Sequence, residues 1–507
     1  MRNWKTVSAV VFIICLGYHL STAQEFPKRE FRGVWVTTAF NLDWPSEPGL
    51  NEQEQKDEFE HLLDQFEAHN LNAVIVQVRA AADAFYESDS EPWSYWLTGK
   101  QGKAPSYDPM AFMIEACHAR NMEFHAWFNL FRAVSHTKFF DPSKNHVTKK
   151  HKDWCYEMTP SLYFDPGIPE VRNYLNGVVM EVVRKYDIDG VHLDDYFYHQ
   201  ESRDKKIKDH STFKKYGNGF SNISDWRRDN VNQVILALND SIKSVKRHVK
   251  FGISPAPVWR HKYIDARGSN SDRALTSYDD LYADSRTWIE NHWVDYIMPQ
   301  LYWSYQHKGV GFETMRSWWN NNTYNRHLYI GLALYKVGND PDKSWTQTNE
   351  LTSQLVATRT TNNIQGISFF KASSFGVNNV HIEDTLKTIY LQRPALLPTM
   401  PWLDSIPPRP PFNLTFSTRD DITKITWETP KQAIDGDFPK HYVIYRFDEE
   451  QNIEISDAKN IVGISASNEF IDQTLEKGKS YMYLITSLDK LSNESRSFIG
   501  AWHQHPK

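Results

Sequence analysis

The 507-residue chain has few cysteines, no long apolar segment and no excess of positive charge. With only three cysteines, no disulfide framework can stabilise the fold. No segment approaches the ~20 apolar residues that a transmembrane helix needs, so we expect no membrane span. The net charge of -6 argues against nucleic acid or an anionic membrane as the main partner.

Common catalytic and cofactor-binding signatures are also missing. No GxGxxG follows the first predicted strand, and the chain has neither a phosphate-binding loop nor a Ser-His-Asp signature. The HExxH spacing typical of zinc hydrolases is absent as well. Although His192, Asp194 and Asp195 are close in sequence, we therefore predict no metal site and no other cofactor.

The first residues have the composition of an export signal. They contain two positive charges, a short apolar run over residues 10–16 and a small-residue cleavage site at residues 21–23. The mature chain is predicted to begin at Gln24, in the periplasm, in the cell envelope or outside the cell. A lipid anchor at Cys15 is the less favoured alternative, because Ile14 precedes it where lipoprotein signals have a small residue.

Residues 31–391 alternate short apolar runs with segments of helical period. Eight runs are predicted strands: FRGVWVTT from Phe31, AVIVQVR from Ala73, EFHAWFN from Glu123, GVHLDD from Gly190, FGISPAP from Phe251, DYIMPQLYW from Asp295, LYIGLALY from Leu328 and GISFFKAS from Gly366. Each precedes at least one helical segment, such as residues 224–246. This order predicts a (β/α)8 TIM barrel over residues 24–395, with another α/β arrangement as the alternative.

Residues 396–411 are rich in proline, which excludes helix and favours a stiff extended linker. Beyond them, KITWET, HYVIYRF and SYMYLITSLDK alternate as half-buried strands do. Residues 412–507 are therefore predicted to form a fibronectin type III-like β-sandwich, with Trp427 in its core and Tyr481 or Tyr483 as the corner tyrosine. We expect the barrel to fold and act without this domain.

Polar residues lie at the C-terminal ends of the predicted strands, where TIM barrels form their active sites. On the fourth strand, Val191 and Leu193 are the apolar alternates, so His192 and Asp194 are predicted to point into the barrel. The same alternation turns inward Gln77, Arg79, His125, Trp127, Asn129, Gln300 and Tyr302. Amide, guanidinium, phenol and carboxylate groups together suit a polyhydroxylated ligand.

These residues also have structural interpretations. An inward arginine or glutamine is often a hydrogen-bond hub, and His125 is expected to be a satisfied core histidine. For the tryptophans of the loops, core packing and sugar stacking are equally open. The predicted substrate-binding set is Arg79, Trp93, Trp127, Asn129, His192, Trp259, Gln300, Tyr302 and Trp303.

Five segments resemble the bacterial glycosyl hydrolase-like 10 family: residues 31–38, EPWSYWLTGKQGKAPSYDP at 91–109, DGVHLDDYFY at 189–198, SYDDLYADSRTWI at 277–289 and DYIMPQLYW at 295–303. The resemblance covers about residues 29–390. It implies a TIM-barrel glycosidase. The family includes an outer-membrane enzyme that acts on peptidoglycan strands stripped of their peptides.

The fourth strand is also similar to the α-amylase pattern DGxRxD, whose last aspartate is the nucleophile. Asp194 stands at that place, with His192 in place of the arginine. It is similar to the chitinase pattern DGxDxDxE too, but Tyr196 stands where that family has its acid glutamate. These likenesses imply a catalytic role for Asp194, although strand five lacks the acid of the amylases.

The chain is therefore interpreted as a glycoside hydrolase with two catalytic carboxylates. Asp194 is the nucleophile or water-activating base, and Asp195 is the chosen proton donor, with Glu91, Asp265 and Asp272 as the other candidates. The resemblance implies a peptidoglycan-type glycan, with another polysaccharide as the alternative. A catalytically silent carbohydrate-binding protein of the cell envelope and an adhesive or scaffolding protein are the other interpretations.

Overall fold

The computed structural model describes residues 26–137 and 142–506. The predicted export signal, Cys15 and the cleavage site before Gln24 lie outside these residues. Within them, no helix combines the length and apolarity needed to cross a membrane. Cys117 is buried, Cys155 is half-buried, and both are free thiols.

Eight parallel strands close into a barrel in chain order, which confirms the predicted TIM barrel and overlaps all eight predicted strands. The eleven strands of this part are β1 Phe31–Val36, β2 Ala73–Arg79, β3 Glu123–Phe128, β4 Arg132–Val134, β5 Cys155–Met158, β6 Ser161–Phe164, β7 Gly190–Leu193, β8 Lys250–Ile253, β9 Tyr296–Ile297, β10 His327–Ala333 and β11 Gly366–Phe370. Strands β4, β5 and β6 form a small antiparallel sheet in the excursion after β3.

Helices follow the strands and cover the outside of the barrel. Their bounds are α1 Glu52–Ala68, α2 Tyr95–Thr98, α3 Pro109–Ala119, α4 Val147–Lys150, α5 Pro169–Lys185, α6 His210–Tyr216, α7 Ile223–Val245, α8 Ser277–Asp280, α9 Ser285–Glu290, α10 Phe312–Asn320, α11 Asn349–Arg359 and α12 Ile382–Thr385. Helix α1 begins with a capping box, in which Asn51 accepts from the N–H of Glu54 while the Glu54 carboxylate accepts from the N–H of Asn51. It buries Phe59, Leu63 and Phe66 against the barrel.

Strand alternation separates the two faces of the barrel wall. Residues of one parity, such as Val34 and Val74, pack under the helices. Residues of the other parity fill the interior: Phe31, Trp35, Ala73, Ile75, Trp127, Tyr296, Met298 and Tyr329. The barrel is a packed core and not a channel, so a ligand reaches it only at an end.

The C-terminal part is a sandwich of two antiparallel sheets. Its strands are β12 Phe412–Arg419, β13 Ile422–Glu428, β14 His441–Asp448, β15 Ile461–Ser465, β16 Glu469–Asp472, β17 Ser480–Leu488 and β18 Ile499–Gln504. One sheet has the order β12-β13-β16 and the other β15-β14-β17-β18. Trp427 is buried between them, and the hydroxyl of Tyr481 accepts from the N–H of Glu476 at 3.1 Å. The fibronectin type III assignment and the domain boundaries stay predictions.

The segment predicted as a stiff linker packs against the end of the barrel opposite the active-site mouth. Leu396 exchanges backbone hydrogen bonds with Lys28 and Glu30, at 2.8 and 2.9 Å. Met400, Leu403 and, from the sandwich, Leu491 join the apolar cluster that fills the barrel interior. The segment is therefore not a free spacer, and the contacts argue against a barrel that folds well alone.

A charged contact at this interface joins the two domains. The ammonium of Lys440 lies 2.5 Å from Asp189, which precedes β7, and His118 lies 2.7 Å from the other oxygen of the same carboxylate. Burial opposes ionisation of Asp189, but Lys440 and His118 outweigh it and hold its pKa well below the usual range. Removal of Lys440 would leave a largely buried carboxylate without its main counter-charge.

We predict that Lys440→Met lowers the free energy of unfolding by about 3 kcal/mol, because Asp189 stays charged in a buried position. Chemical denaturation monitored by tryptophan fluorescence measures the change. Lys424→Met is the matched control, since Lys424 pairs with Glu469 at the surface of the same domain, with both side chains about half exposed. It should change stability by less than about 1 kcal/mol. Equal effects of the two substitutions would contradict a stabilising role for the interface.

Candidate active site

The C-terminal ends of the barrel strands surround a pocket of about 330 Å³. Residues on or just after seven of the eight barrel strands line it: Trp35, Thr37, Ala39, Phe40, Leu42, Gln77, Trp127, Asn129, Arg132, Asp194, Asp195, Tyr196, Ser254, Gln300, Tyr302 and Phe370. It lies at the face where TIM barrels place their catalytic residues.

Two consecutive aspartates enter this pocket. Strand β7 ends at Leu193, so strict alternation stops there and both Asp194 and Asp195 turn toward the mouth. Asp194 is only 5% exposed. Its Oδ2 accepts from the Asn129 amide at 2.8 Å, and its Oδ1 accepts from the backbone N–H of Tyr196 at 3.2 Å. These two donors fix the orientation of the Asp194 carboxyl.

A chain of buried amides holds Asn129 in place. The N–H of Ala39 donates to Oε1 of Gln77 at 2.8 Å, and Nε2 of Gln77 donates to Oδ1 of Asn129 at 2.6 Å. The Asn129 amide in turn donates to Oδ2 of Asp194, where the chain ends. Because every link runs in one direction, neither amide can flip without losing buried hydrogen bonds.

The pair of carboxyls has an unusual affinity for protons. Burial and the neighbouring Asp195 charge raise the pKa of Asp194 to about 7, although Arg132 opposes them. Burial raises the pKa of Asp195 as well, against a hydrogen bond from Gln300 and the charge of Arg132. The indole N–H of Trp127 also lowers the pKa of Asp194 but makes no hydrogen bond of good geometry. The two carboxyls therefore titrate as a coupled pair that holds a proton more tightly than isolated aspartates do.

Exposed apolar side chains form the rim of the pocket. Phe40, Leu42 and Tyr196 are 48%, 46% and 46% exposed. Tyr196 also stacks under the Arg132 guanidinium at 4.2 Å. On the other side, the ring of Tyr302 stacks on Phe370 at 5.6 Å. Aromatic faces beside hydrogen-bonding amides suit a sugar, which has both apolar C–H faces and hydroxyl groups.

A hydrogen-bonded chain runs through the barrel below the pocket. Trp35 donates to Nε2 of His192 at 3.3 Å, and Nδ1 of His192 lies 2.9 Å from the Tyr296 hydroxyl. The same hydroxyl lies 2.9 Å from Nδ1 of His125, whose Nε2 lies 3.0 Å from Glu123. An indole nitrogen only donates and a carboxylate only accepts, so every hydrogen bond in the chain points toward Glu123.

This order keeps His192 neutral. Its Nε2 is an acceptor and its single ring hydrogen is on Nδ1, while burial lowers its pKa well below the usual range. At the far end, Glu123 is neutralised by an ion pair with Lys250. The barrel interior therefore places no positive charge directly under the two aspartates, which is consistent with their raised pKa values.

A family model described as "Glycosyl hydrolase-like 10" matches residues 30–347. The chain belongs to this family. The resemblance seen in the sequence is confirmed, and the protein is a glycoside hydrolase, in preference to a silent carbohydrate-binding protein.

Two curated relatives are also named glycosyl hydrolases. Glycosyl hydrolase YngK of Bacillus subtilis (strain 168) is 42% identical over 476 residues, which are 92% of this chain and 92% of the relative. Glycosyl hydrolase DigH of Escherichia coli (strain K12) is 38% identical over 330 residues, 62% of this chain and 74% of the relative. The glycoside hydrolase domain of PgaB (BpsB) from Bordetella bronchiseptica aligns with a TM-score of 0.45 and 11% identity, covering 71% of this chain and 98% of that domain. Nothing about the substrate follows from a likeness that distant.

Six residues predicted from the sequence line the pocket of this glycosyl hydrolase-like 10 protein: Asp194, Asp195, Trp127, Asn129, Gln300 and Tyr302. His192 does not, because it lies one layer deeper in the chain described above. Arg79 does not either. Its guanidinium is fully buried, forms a two-pronged ion pair with Glu91 at 2.6 and 2.8 Å, and donates to the carbonyl of Asn129. In this structure His192 and Arg79 make core contacts outside the pocket, and their predicted substrate-binding roles stay predictions.

Three predicted tryptophans also lie outside the pocket. Trp259 is buried, and its indole donates to Asp284 at 2.8 Å. Trp303 packs half-buried against the core. Trp93 lines a neighbouring groove instead. Strand alternation predicts which strand residues point into the barrel, but it does not predict where the loop tryptophans pack.

The alternative carboxylates are engaged elsewhere. Glu91 is held by Arg79, Asp265 pairs with Arg267 at 2.7 Å, and Asp272 is 59% exposed beside Arg273. Among the described residues that line the pocket, Asp194 and Asp195 are therefore the only carboxylates. Asp195, predicted as the second carboxylate because it follows Asp194 in sequence, also lies beside Asp194 in the pocket.

The sequence reasoning missed the rim and part of the floor. Trp35 and Ser254 continue the inward alternation of β1 and β8, so the same rule could have found them. Phe40 and Tyr196 come from the segments after β1 and β7, and Arg132 begins the short strand β4. No long periodic run marks any of them.

The raised pKa of Asp194 predicts a pH-dependent stability. The carboxyl binds its proton more tightly in the folded protein, where the pKa is about 7, than in the unfolded chain, where it is 3.8. The folded state therefore loses stability as pH rises toward and through 7. Asp194→Asn leaves a single carboxyl, removes the repulsion between the two and so weakens this dependence. The melting temperature of the variant, relative to the wild type, should therefore be higher at pH 8 than at pH 5.

Asp265→Asn is the control, because the pKa of Asp265 is shifted in the opposite direction: side-chain and backbone hydrogen bonds from Arg267 lower it. The ionised Asp265 stabilises the fold at every pH above its ordinary pKa. Asp265→Asn should therefore lower the melting temperature by the same amount at pH 5 and at pH 8. Differential scanning calorimetry at both values measures the four differences. A parallel response of the two variants would contradict the proton affinity assigned to the active-site pair.

Proposed function

We propose that this glycoside hydrolase cleaves O-glycosidic bonds in the glycan strands of peptidoglycan, with Asp194 and Asp195 as its catalytic carboxylates. The observation that carries the mechanism is the buried pair itself, at the mouth of the barrel, with no other carboxylate among the described lining residues. The substrate is supported by the resemblance to a family with a member that acts on such strands. The signal-like N-terminus supports export to the compartment where peptidoglycan lies.

The hydrogen bonds suggest how the two aspartates divide the work. Both oxygens of Asp194 accept hydrogen bonds, from Asn129 and from the Tyr196 N–H, and an ionised carboxylate accepts them more strongly than a protonated carboxyl does. Asp195 is half-buried, and hydrogen bonds from Gln300 and from its own backbone N–H lower its pKa less than burial raises it. The pKa of about 7 belongs to the one proton that the coupled pair holds. We assign this proton to Asp195 in the active form, because the two directed donors on Asp194 favour its charge.

This division assigns one role to each carboxyl. Asp195 donates its proton to the glycosidic oxygen as the bond to the anomeric carbon breaks. Asp194, fixed and ionised, faces the positive charge that develops on the sugar and acts as nucleophile or as the base for water. The rim side chains Phe40 and Tyr196 hold the flanking sugars, and Gln300 and Tyr302 offer hydrogen bonds to hydroxyl groups.

Substitution of each aspartate separates the two roles. Asp194→Asn should lower kcat by ~10³-fold or more on purified glycan strands, with little change in binding, because the amide keeps the shape but not the charge. Asp195→Asn should lower kcat by about 10²- to 10⁴-fold on the same strands. Release of reducing ends measures both.

An aryl glycoside with a good leaving group needs no proton donor for bond cleavage. Asp195→Asn should retain cleavage of such a substrate much better than Asp194→Asn does. Asp272→Asn, an exposed carboxylate outside the pocket, is the control and should leave kcat unchanged. Full activity of Asp194→Asn would remove it from the mechanism. Wild-type protein that releases no reducing ends from the strands but cleaves another polysaccharide would refute the proposed substrate.

The pH profile gives a second test. The active form carries one proton on the pair, and the raised pKa of about 7 sets the pH above which that proton is lost. We expect kcat to fall as pH rises above about 7 and to fall again in acid when the second carboxyl is protonated. A kcat that keeps rising to pH 9 would contradict an acid catalyst within the pair. The Asp272→Asn control should keep the wild-type profile.

A further inference from the structure

A second and larger groove, of about 750 Å³, lies on the same face of the barrel as the catalytic pocket. The loop after β2 forms one wall, with Trp93, Lys100 and Lys103. The chain after β4 forms the other, with Lys144 and Lys150. The first segment follows barrel strand β2, and the second belongs to the excursion after its neighbour β3. Both leave the C-terminal ends of these strands, so the groove opens beside the active-site mouth.

The charge of this groove is opposite to that of the whole chain. None of its four lysines, Lys100, Lys103, Lys144 and Lys150, has an ion-pair partner within the described residues, and all four are exposed. The two carboxylates of the lining are paired with other residues: Glu91 with Arg79 at 2.6 Å, and Asp89 with Lys185 at 3.7 Å. A protein of net charge -6 thus presents a locally positive groove.

The walls of the groove are tied together. The backbone N–H of Ser143 on one wall donates to Oε1 of Gln101 on the other at 2.9 Å. Nε2 of Gln101 donates in turn to the buried Asp83 at 2.9 Å. Gly102 has a φ of 84°, which favours glycine, and a Cβ there would contact Ser143 at 3.6 Å. The groove is therefore formed before any ligand binds, which lowers the entropic cost of binding.

A continuous surface leads from the groove to the catalytic pocket. Gln101 lines both the groove and a small adjacent cavity, which Trp96 also lines. The ring of Trp96 packs 4.9 Å from that of Phe40, on the rim of the catalytic pocket. A chain molecule bound across the two aspartates can therefore extend over these rings into the groove.

We propose that this lysine-lined groove binds a carboxylate-bearing stretch of the polysaccharide chain whose bond is cleaved in the neighbouring pocket. The proposal rests on the proposed function, because the strands of peptidoglycan carry a carboxylate on alternate sugars. Lysines on flexible stems suit carboxylates at loosely defined positions along a chain. Trp93 adds an aromatic face, and Ser88 and Asn145 add hydrogen-bonding groups for the sugar hydroxyls.

Binding is measured separately from cleavage. The lysine-groove variant carries Lys100→Gln, Lys103→Gln, Lys144→Gln and Lys150→Gln. The matched control carries Lys262→Gln, Lys308→Gln, Lys387→Gln and Lys431→Gln, four exposed lysines outside the groove with no ion pair in the described part of the chain. Calorimetric titration in the Asp194→Asn background uses purified glycan strands and the same strands with their carboxyl groups reduced to alcohols.

The groove variant should bind native strands about tenfold more weakly at low ionic strength and should lose most of the salt dependence of binding. Its affinity for carboxyl-reduced strands should equal that of the control. Equal affinity of both variants for native strands would overturn the proposal, as would an equal loss on reduced strands. Tighter binding of a DNA oligonucleotide or of polyphosphate than of native strands would also overturn the proposal.

Reducing-end release by the wild-type protein keeps this test apart from the proposed function. If the strands are bound through the lysines but not cleaved, carboxylate binding by the groove stands and the proposed function fails. If they are cleaved and the groove variant binds as tightly as the control, the groove proposal fails alone.

Discussion

The closed barrel leaves the side chains of its interior without access to water, and the active site depends on this constraint. Most polar groups inside find their partners inside, since an unpaired buried donor or acceptor costs about 1 to 3 kcal/mol; the indole N–H of Trp127 is an exception. The Gln77 and Asn129 amides satisfy each other and then Asp194. His192 and Tyr296 do the same beneath the pocket. The hydrogen bonds that satisfy the core are therefore the ones that orient the catalytic carboxyl.

The same exclusion of water gives the aspartate pair its proton affinity. Two carboxyls placed side by side at the buried mouth cannot both ionise easily, and the neutral His192 below them supplies no compensating charge. The fold gives up stability at neutral pH to keep this pair, as enzymes commonly do at their active sites. Arg132, stacked on Tyr196, moderates the repulsion without forming an ion pair within the described residues.

The two ends of the barrel are used differently. At one end the linker and the sandwich close the core with Met400, Leu403 and Leu491, and the Lys440–Asp189 pair joins the domains. At the other end the loops after β1, β2 and β3 build the pocket rim and the lysine-lined groove. The sandwich domain therefore contacts the barrel far from the site of chemistry, and in this structure its visible contribution is to stability.

The sequence by itself determined the barrel, because eight strands of two-residue period, each followed by a helix, favour a closed parallel barrel. The same period placed Asp194, Trp127, Asn129 and Gln300 in the interior and at the mouth. It could not decide what Arg79 and His192 contact, since an inward residue can face a ligand or another core group. Only the tertiary structure paired Arg79 with Glu91 and brought the rim loops together. Those contacts join residues that are distant in sequence, and loops have no period from which their packing can be inferred.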